Sequence, residues 1–232
     1  MVKLGIIGAM DIEVVLLKEN MEDLTVETYA DMAFYTGTLR GVSAVVVQSG
    51  IGKVNASMCA QILCSGYGVT HIVNTGIAGS LDKELDIGDL VISRDAIYHD
   101  FDLRFWGRPI GQVPGFDVTA FPADERLANL ALVAAETVNP GHARLGRIAS
   151  GDQFICSKEQ KERIIADTQG ICAEMEGAAI AHAAYRNGVP FVIIRAISDK
   201  ADDSAEMDYP TFETIAAKRC AEVTMTVAQM LQ

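Results

Sequence analysis

The sequence predicts an α/β fold in which a central sheet, mainly parallel or mixed, is flanked by helices. Short apolar runs rich in Val and Ile recur along the chain, each bounded by Gly or Asp, and such runs are typical of buried strands. Helical patterns separate these runs, so strands and helices alternate as in βαβ units. The predicted strands are residues 4–7, 44–48, 71–74, 90–93, 147–149 and 191–197.

Helices are predicted from the spacing of apolar residues and from start signals. Asp124 stands where an N-cap is expected, and Ser157 and Gln160 have the spacing of a capping box. Asp208 followed by Pro210 marks the predicted start of the last helix. The predicted helices are residues 12–20, 54–64, 124–137, 157–167, 176–187 and 209–231.

The chain of 232 residues carries no linker, internal repeat or low-complexity tract. α/β domains commonly reach this length, which is enough to bury a large core. Hydrophobic residues make up 50% of the chain, which is ordinary for a globular protein and argues against disorder. We therefore expect residues 1–232 to form a single domain.

The chain is acidic, with a formal net charge of −12 at pH 7. Nucleic acid backbones and anionic membranes attract clusters of Lys and Arg, which the sequence lacks. No stretch approaches the roughly 20 apolar residues of a membrane span. The N-terminal apolar run is also too short for a signal peptide. We expect neither nucleic acid nor a membrane as a partner.

The cysteines and histidines form no recognisable disulfide or metal pattern. The five cysteines include no C-x-x-C pair, which favours reduced thiols in the cytoplasm. The four histidines lie too far apart for an H-x-x-x-H pair, so no metal site is predicted. His99 and Asp100 are interpreted as structural, because sequence neighbours rarely point at each other. The sequence thus predicts a cytoplasmic protein without a metal.

Carboxylates stand beside small-residue turns in three distant stretches. Residues 8–13 end in Glu13, residues 173–178 contain Glu174 and Glu176, and residues 195–199 end in Asp199. The first and third stretches follow predicted strands, and open α/β sheets bind ligands at the carboxyl ends of parallel strands. Several acids with few bases suit a reaction in which positive charge develops on a sugar during glycosidic cleavage. The pattern indicates a hydrolase that acts on a sugar bond.

Each of these acids, taken alone, has a structural alternative. Glu13 lies near a predicted helix start, where the helix dipole favours a carboxylate. Asp199 ends an apolar strand and could cap the next element. Glu174 and Glu176 are two positions apart, so only one of them is expected to face a shared pocket. Their joint position at the sheet ends favours the catalytic interpretation.

Two glycine-containing turns follow predicted strands without completing a nucleotide-binding motif. Residues 49–53, SGIGK, lack the third glycine of G-x-G-x-x-G and the G-K-[ST] ending of a P-loop. Residues 75–80 form a second turn with no bulky polar side chain, so that a substrate could approach its backbone closely. We interpret both turns as backbone surfaces for a ligand.

Residues 95–122, here called the aromatic loop, combine several aromatic residues with Gly and Pro. A loop of this composition must bury its apolar side chains somewhere. A partner subunit is one candidate for the covering surface.

Motifs along the chain are more specific in combination than singly. They are GIIGAM at 5–10 leading to Glu13, SGIGK at 49–53, NTG at 74–76, SGD at 150–152, EME at 174–176 and RAISD at 195–199. In this order they resemble the 5′-methylthioadenosine/S-adenosylhomocysteine nucleosidases of the purine nucleoside phosphorylase superfamily. The resemblance implies a nucleoside phosphorylase-like fold, no cofactor and a homodimer. The implied reaction is hydrolysis of the N-glycosidic bond of 5′-thio-substituted adenosines, and possibly of 5′-deoxyadenosine, to adenine and the sugar.

The resemblance also implies roles for individual residues. Glu13 is the general base on the attacking water, with Arg195 helping to position that water. Asp199 is the acid that protonates adenine N7. Glu176, with the Met175 segment, holds the ribose hydroxyls and stabilises the cationic sugar.

Further residues are implied in substrate binding. Adenine recognition involves the main chain of Gly79 and Ile155, stacking by Phe154, and Ser198 beside the catalytic acid. An apolar pocket for the 5′ substituent draws on Met10, Ile51 and Tyr209, with Leu103, Trp106 and Pro114 supplied by the aromatic loop of one subunit or its neighbour.

The sequence departs from the family pattern at a few of these places. Ile77 stands where members often have a hydroxyl residue near the water, which bears on how the nucleophile is positioned. Trp106 and Tyr209 stand where Phe is common, which bears on the preferred 5′ substituent.

Alternative functions remain open at this point. A phosphorylase needs a cationic pocket for phosphate, whereas Glu13 would repel that anion. An aminodeoxyfutalosine nucleosidase resembles the same family so closely that the sequence does not separate the two. A nucleoside-binding sensor without activity could lose the acid or the base, but both Glu13 and Asp199 are present.

Overall fold

The computed structural model describes residues 1–202 and 204–232, apart from the side chains at positions 206 and 207. The strands are β1 (Lys3–Gly8), β2 (Met21–Tyr29), β3 (Met32–Leu39), β4 (Val42–Gln48), β5 (His71–Ser80), β6 (Leu90–Tyr98), β7 (Phe121–Pro122), β8 (Ala143–Ser150), β9 (Cys172–Glu174) and β10 (Phe191–Asp199). The helices are α1 (Asp11–Glu19), α2 (Lys53–Ser65), α3 (Glu125–Val138), α4 (Lys158–Thr168), α5 (Gly177–Asn187) and α6 (Ala205–Met230), with a 3₁₀ turn at Arg104–Trp106.

The apolar runs of the sequence form the centre of a mixed sheet. All nine residues of β10 are buried, and β1 and β5 are buried over almost their whole length, as expected for strands covered on both faces. Strand β1 pairs in parallel with β4 and β5, and β5 pairs in parallel with β10. Antiparallel pairs join β10 to β6 and β5 to β9. The predicted α/β fold with a mixed sheet flanked by helices is confirmed.

Part of the sheet closes on itself. Strands β5, β10, β6, β8 and β9 are joined in a ring, because β5 pairs with both β10 and β9. Strands β1, β4, β3 and β2 extend the sheet outward from β5. The parallel strands β1, β5 and β10 therefore end side by side at the same edge of the sheet.

Helices cover both faces of the sheet. Helix α6 packs on β10 and against α1 and α3, and this layer shares one apolar core. Helices α2 and α5 pack together on the opposite face over a second core. A smaller apolar cluster includes Ile164 of α4. Within the described part of the chain, no helix combines the length and apolar character needed to cross a bilayer.

Two of the predicted helix starts are confirmed and one is wrong. The Asp124 carboxylate accepts a hydrogen bond from the Leu127 N–H at 2.8 Å, and the Ser157 hydroxyl accepts one from the Gln160 N–H at 3.3 Å. The last helix begins at Ala205, before the predicted Tyr209. Pro210 is the sixth residue of this helix, beyond the first turn where proline is readily accommodated, so it removes one backbone hydrogen bond from the helix.

The structure contains strands that the apolar pattern did not predict. Strands β2 and β3 form an antiparallel hairpin at the open end of the sheet, and β2 is exposed over most of its length. The turn between them uses Ala30 and Asp31, both with positive φ, so it lacks the glycine that usually marks such a turn. The short strands β7 and β9 were also not predicted, and β5, β6 and β8 extend beyond their predicted bounds.

Candidate active site

A cavity of about 440 Å³ opens at the edge where β1, β5 and β10 end. Eleven of the fifteen residues that the sequence analysis placed at the site border it. They are Met10, Glu13, Ile51, Gly79, Phe154, Ile155, Met175, Glu176, Ser198, Asp199 and Tyr209. The parallel strands thus bring together side chains from both ends of the chain.

Glu13 lies in the first turn of α1 and is buried. One carboxylate oxygen accepts hydrogen bonds from the N–H groups of Ala9 and Met10 at 2.6 and 3.0 Å. The other oxygen accepts one from the Ile77 N–H of β5 at 3.1 Å. Burial raises the pKa of Glu13, whereas the charge of Arg195 and the backbone hydrogen bonds oppose that rise. The result is a fixed carboxylate that binds a proton more readily than an exposed one.

Asp199 ends β10 and is also buried. Its oxygens accept hydrogen bonds from the Ser198 hydroxyl and from the Ala201 N–H, both at 2.8 Å. Burial raises the pKa of Asp199, and the hydrogen bond from Ser198 opposes the rise. The group therefore retains its proton to a higher pH than an exposed aspartate.

Gly79 allows β5 to approach the Asp199 carboxylate closely. A Cβ atom at position 79 would lie 2.7 Å from the Asp199 Oδ1 atom and 2.8 Å from the Ala201 Cβ atom. Both separations are too short for a side chain, so a glycine is required for this contact.

Glu174 and Glu176 both border the cavity, but the Glu174 side chain is only 2% exposed and is paired with Arg195. The chain turns from β9 into α5 between them, and the alternation of a strand no longer applies. The Glu176 carboxylate accepts a hydrogen bond from the Gly52 N–H at 2.8 Å. Burial, followed by the nearby Glu174 charge, raises the pKa of Glu176 to about 8.

Arg195 lies behind the cavity wall and does not border it. Its guanidinium donates to the Glu174 carboxylate at 2.5 Å and to the Asn74 side chain at 2.6 Å. Ser150 also donates to Glu174, and the same hydroxyl accepts from the Ala178 N–H. Sequence reasoning assigned no role to Asn74 or Ser150, although they lie in the NTG and SGD motifs, and it considered Glu174 only as one of the candidate acids.

Backbone N–H groups of the SGIGK turn donate hydrogen bonds to Glu176 and Asp152, and the Lys53 side chain holds the turn in place. The Lys53 ammonium binds the Asp100 carboxylate at 2.6 Å, and the Lys53 N–H donates to Asp152 at 2.8 Å. The Asp152 N–H donates in turn to Asp100 at 2.9 Å. Asp100 therefore orders two loops beside the cavity. It does not form a hydrogen bond with His99, whose ring nitrogens have no partner among the described residues.

Apolar side chains form the mouth of the cavity. The Phe154 and Tyr209 rings meet edge to face with centroids 5.5 Å apart, and the Tyr209 hydroxyl lies 3.4 Å from the Met10 sulfur. Ile51 and Phe154 are exposed. Ile77 also lines the cavity, and its N–H group donates the hydrogen bond to Glu13.

The aromatic loop buries part of its apolar surface within the chain. Tyr98, Phe116 and Phe121 pack together around His182 of α5. By contrast, Phe105 is 96% exposed and Trp106 is 69% exposed. Leu103, Trp106 and Pro114 do not border the cavity of their own chain.

The cavity combines buried carboxylates of raised pKa with an apolar mouth. Carboxyl groups held in this way can donate or accept a proton, and in their ionised form they stabilise a cation. Within the described part of the chain, no three His, Cys, Asp or Glu residues are grouped so that they could hold a metal ion.

Comparisons with known proteins agree with this geometry. A family model described as the phosphorylase superfamily matches residues 3–229. The chain is 42% identical over 234 residues to a 5′-methylthioadenosine/S-adenosylhomocysteine nucleosidase of Halalkalibacterium halodurans, and the match covers 100% of both chains.

Solved structures are similar over nearly the whole chain. The 5′-methylthioadenosine/S-adenosylhomocysteine nucleosidase of Neisseria meningitidis, in complex with methylthio-immucillin-A, matches with a TM-score of 0.96 and 35% identity, covering 99% of this chain and 100% of that one. The futalosine hydrolase of Helicobacter pylori matches with a TM-score of 0.94 and 32% identity, covering 99% and 98%. The resemblance inferred from the motifs is thus confirmed. The chain belongs to the phosphorylase superfamily and, within it, to the family of 5′-methylthioadenosine/S-adenosylhomocysteine nucleosidases.

Proposed function

We propose that the protein hydrolyses the N-glycosidic bond of 5′-methylthioadenosine and S-adenosylhomocysteine, and also of 5′-deoxyadenosine. The products are adenine and the corresponding ribose. One observation carries the proposal: Glu13 and Asp199 border the same cavity, and burial raises the pKa of both carboxyl groups. The 42% identity to a nucleosidase of this specificity supports it.

Asp199 acts as the general acid. Adenine leaves poorly as an anion, and protonation at N7 turns it into a neutral leaving group. The raised pKa of Asp199 keeps the carboxyl group protonated to a higher pH than that of an exposed aspartate, which favours this transfer. Ser198 and the Ala201 N–H hold the carboxyl group in place through their hydrogen bonds.

Glu13 acts as the general base on the attacking water. Its three backbone hydrogen bonds fix the carboxylate, and its raised pKa strengthens it as a base. Arg195 assists from behind the wall, because its charge favours the ionised form of Glu13. A negative charge at this place disfavours phosphate as the nucleophile, so the proposal is hydrolysis rather than phosphorolysis.

Glu176 and the Met175 segment hold the ribose. The positive charge that develops on the sugar favours ionisation of Glu176, and the resulting carboxylate stabilises the oxocarbenium-like sugar. Gly79, Ile155 and Phe154 recognise adenine through the main chain and stacking, with no side chain at position 79 to obstruct it. The 5′ substituent occupies the apolar mouth formed by Met10, Ile51 and Tyr209, where an alkylthio group loses its contact with water.

A second candidate is the hydrolysis of aminodeoxyfutalosine. The similarity to the futalosine hydrolase of Helicobacter pylori, with a TM-score of 0.94, supports it. A purine nucleoside phosphorylase and an inactive nucleoside-binding sensor are weaker alternatives, since the cavity holds both an acid and a base.

We further propose that residues 1–232 form one nucleosidase domain that works as a homodimer in the cytoplasm, without a cofactor, in methionine salvage. Exposed Phe105 and Trp106 support the homodimer, because a neighbouring subunit would cover them. The five cysteines are unpaired, which is typical of a reducing compartment.

The test is release of the purine base, which is adenine from 5′-methylthioadenosine, S-adenosylhomocysteine and aminodeoxyfutalosine and hypoxanthine from inosine, each with and without phosphate. We expect phosphate-independent release from the 6-amino nucleosides and none from inosine. A strict need for phosphate would identify a phosphorylase, and the absence of release from every nucleoside would favour the sensor. The ranking of kcat/KM separates the first three substrates.

A further inference from the structure

The amide that joins Lys200 to Ala201 forms hydrogen bonds at both of its ends. Its N–H group, from Ala201, donates to the Asp199 Oδ1 atom at 2.8 Å. Its carbonyl oxygen, from Lys200, accepts a hydrogen bond from the Lys161 ammonium of α4 at 2.5 Å. A cation and the carboxylate of Asp199 therefore occupy opposite ends of one peptide group.

A cation bound to a carbonyl oxygen draws electron density toward that oxygen and makes the N–H of the same amide a stronger donor. Linked hydrogen bonds strengthen one another in this way where water is excluded. We infer that Lys161 is a positioning residue: through the Lys200–Ala201 amide it orients the Asp199 carboxyl group and stabilises its ionised form. No motif of the sequence pointed to Lys161.

The amide has little freedom to find another arrangement. Ala201 is buried and adopts a left-handed backbone conformation, with φ of 50°, which a residue other than glycine adopts only when its surroundings require it. On the other side of the amide, the Lys200 ammonium donates to the Leu85 carbonyl at 2.6 Å and to Asp86 at 2.8 Å. The Lys161 hydrogen bond thus acts on a segment whose position is already restricted.

Lys161 is placed to act as a charge as well as a donor. Its side chain is only 15% exposed, and Asp202 lies 3.9 Å from its ammonium group. Burial lowers the pKa of Lys161, while the Asp202 and Asp199 carboxylates oppose that change. The ammonium therefore has partners on the loop after β10 and little contact with water.

Apart from Lys161 and the groups that donate hydrogen bonds to Asp199, the groups around this residue do not favour its ionised form. Asp208 and Asp202 raise its pKa by like-charge repulsion, and Ser198 lowers it by donating a hydrogen bond. Tyr209 of α6 also faces it and carries no charge at neutral pH. The charged and titratable groups that interact with Asp199 include Asp202 on the following loop, Asp208 and Tyr209 on α6, and Lys161 on α4.

The direction of the expected effect follows from these charges. Without the Lys161 ammonium the Asp199 carboxylate is less stable, so its pKa rises. If Asp199 is the general acid, as the proposed function states, activity persists to higher pH and the alkaline limb of the pH profile moves up. We expect a shift on the order of half a pH unit. We also expect kcat to fall about fivefold at neutral pH, because the carboxyl group is oriented less well.

The experiment compares Lys161→Met, Lys161→Arg and Lys158→Met in the full chain. Lys158 is the matched control, since it lies one turn earlier on α4 and its side chain is 74% exposed, with only a long contact to Glu162 at 3.8 Å. The pKa of Asp199 is measured by NMR of ¹³C-labelled aspartate, with Asp199→Asn used to assign the signal. The pH profile of kcat/KM is measured with 5′-methylthioadenosine.

The inference is supported if Lys161→Met raises the pKa of Asp199 while Lys161→Arg and Lys158→Met leave it near the wild-type value. It is overturned if Lys161→Met folds with the wild-type melting temperature and leaves that pKa unchanged. If Lys161→Met does not fold, Lys161→Gln takes its place under the same criterion. A raised pKa with an unmoved alkaline limb supports the inference and contradicts the acid role of Asp199, so the two failures are distinguishable.

Discussion

Arg195 donates a hydrogen bond to Glu174 over 2.5 Å, and both side chains are only 2% exposed. The two residues come from β10 and β9, which do not pair with each other. The N–H groups of Glu176 and Gly177 donate to the same Glu174 oxygen at 3.1 and 2.7 Å. This buried pair therefore fixes the start of α5, and with it the Glu176 side chain in the cavity.

Loss of the negative charge at Glu174 should destabilise the fold. In Glu174→Gln the side chain keeps its size, but the guanidinium of Arg195 loses its direct buried partner. We expect the free energy of unfolding to fall by about 3 kcal/mol, measured by urea denaturation. Glu84→Gln is the control, because it removes an exposed pair with Arg144 and should cost less than about 1 kcal/mol. Equal losses in the two variants would contradict the structural role of the buried pair.

Asp199→Asn should remove the proton that the leaving base needs. The amide keeps nearly the same shape, so we expect KM to change little while kcat falls by about 10²–10⁴-fold. The measurement is steady-state adenine release together with binding of a non-hydrolysable adenosine analogue. Asp11→Asn, whose side chain is exposed on α1, should retain wild-type kcat. Wild-type turnover in Asp199→Asn would rule out the acid role.

The proposed base gives the pH profile its acidic limb. Glu13 must be ionised to accept a proton, and its pKa is raised from the ordinary value of 4.5. Activity should therefore decline as the pH falls through this raised value, at a higher pH than an exposed glutamate would give. Glu13→Gln should reduce kcat by about 10²-fold or more at all pH values and abolish this limb. Persistence of the same limb in Glu13→Gln would assign it to another group.

Glu176 links stability to pH. Its pKa is about 8 in the folded protein, above the ordinary value of 4.5. The folded state thus holds the proton more tightly, so the stabilisation is complete below pH 4.5 and is lost as the pH rises to about 8. Glu176→Gln removes this dependence. When the pH is raised from 5 to 8.5, the free energy of unfolding of the variant should increase by about 1–3 kcal/mol relative to that of the wild type.

Urea denaturation at both ends of this pH range measures the difference in unfolding free energy between Glu176→Gln and the wild type. The contributions of other titrating groups largely cancel in that difference. Glu159→Gln, at an exposed position on α4, serves as the control and should give a difference that does not depend on pH. A flat difference for Glu176→Gln as well would contradict the raised pKa.

The exposed hairpin illustrates where the sequence did not predict the fold. Strand β2 mixes charged, polar and apolar residues and lies at the end of the sheet, where hardly any of its residues are buried. Its turn uses Ala30 and Asp31 with φ of 50° and 65°, so neither a buried apolar run nor an Asn-Gly pair marks it. Pairing with β3, which follows directly after the turn, stabilises this strand, and β3 is joined to the rest of the sheet through β4.

The last helix was also predicted incompletely. Pro210 suggested a helix start, but α6 begins at Ala205. Before it, Asp202 accepts hydrogen bonds from the N–H and the hydroxyl of Ser204. Such polar contacts depend on how the loop after β10 folds, which the residue types alone do not specify.

By itself, the sequence determined the buried strands, the helices between them and the acids that follow the strands. These features depend on local apolar periodicity and on residue type, which act over a few positions. The tertiary structure alone decided that both Glu174 and Glu176 border the cavity, that Arg195 lies behind its wall, and that Lys161 contacts the peptide that binds Asp199. These relationships join residues from different elements, so hydrogen bonding, burial and charge at each place are set only when the sheet brings those elements together.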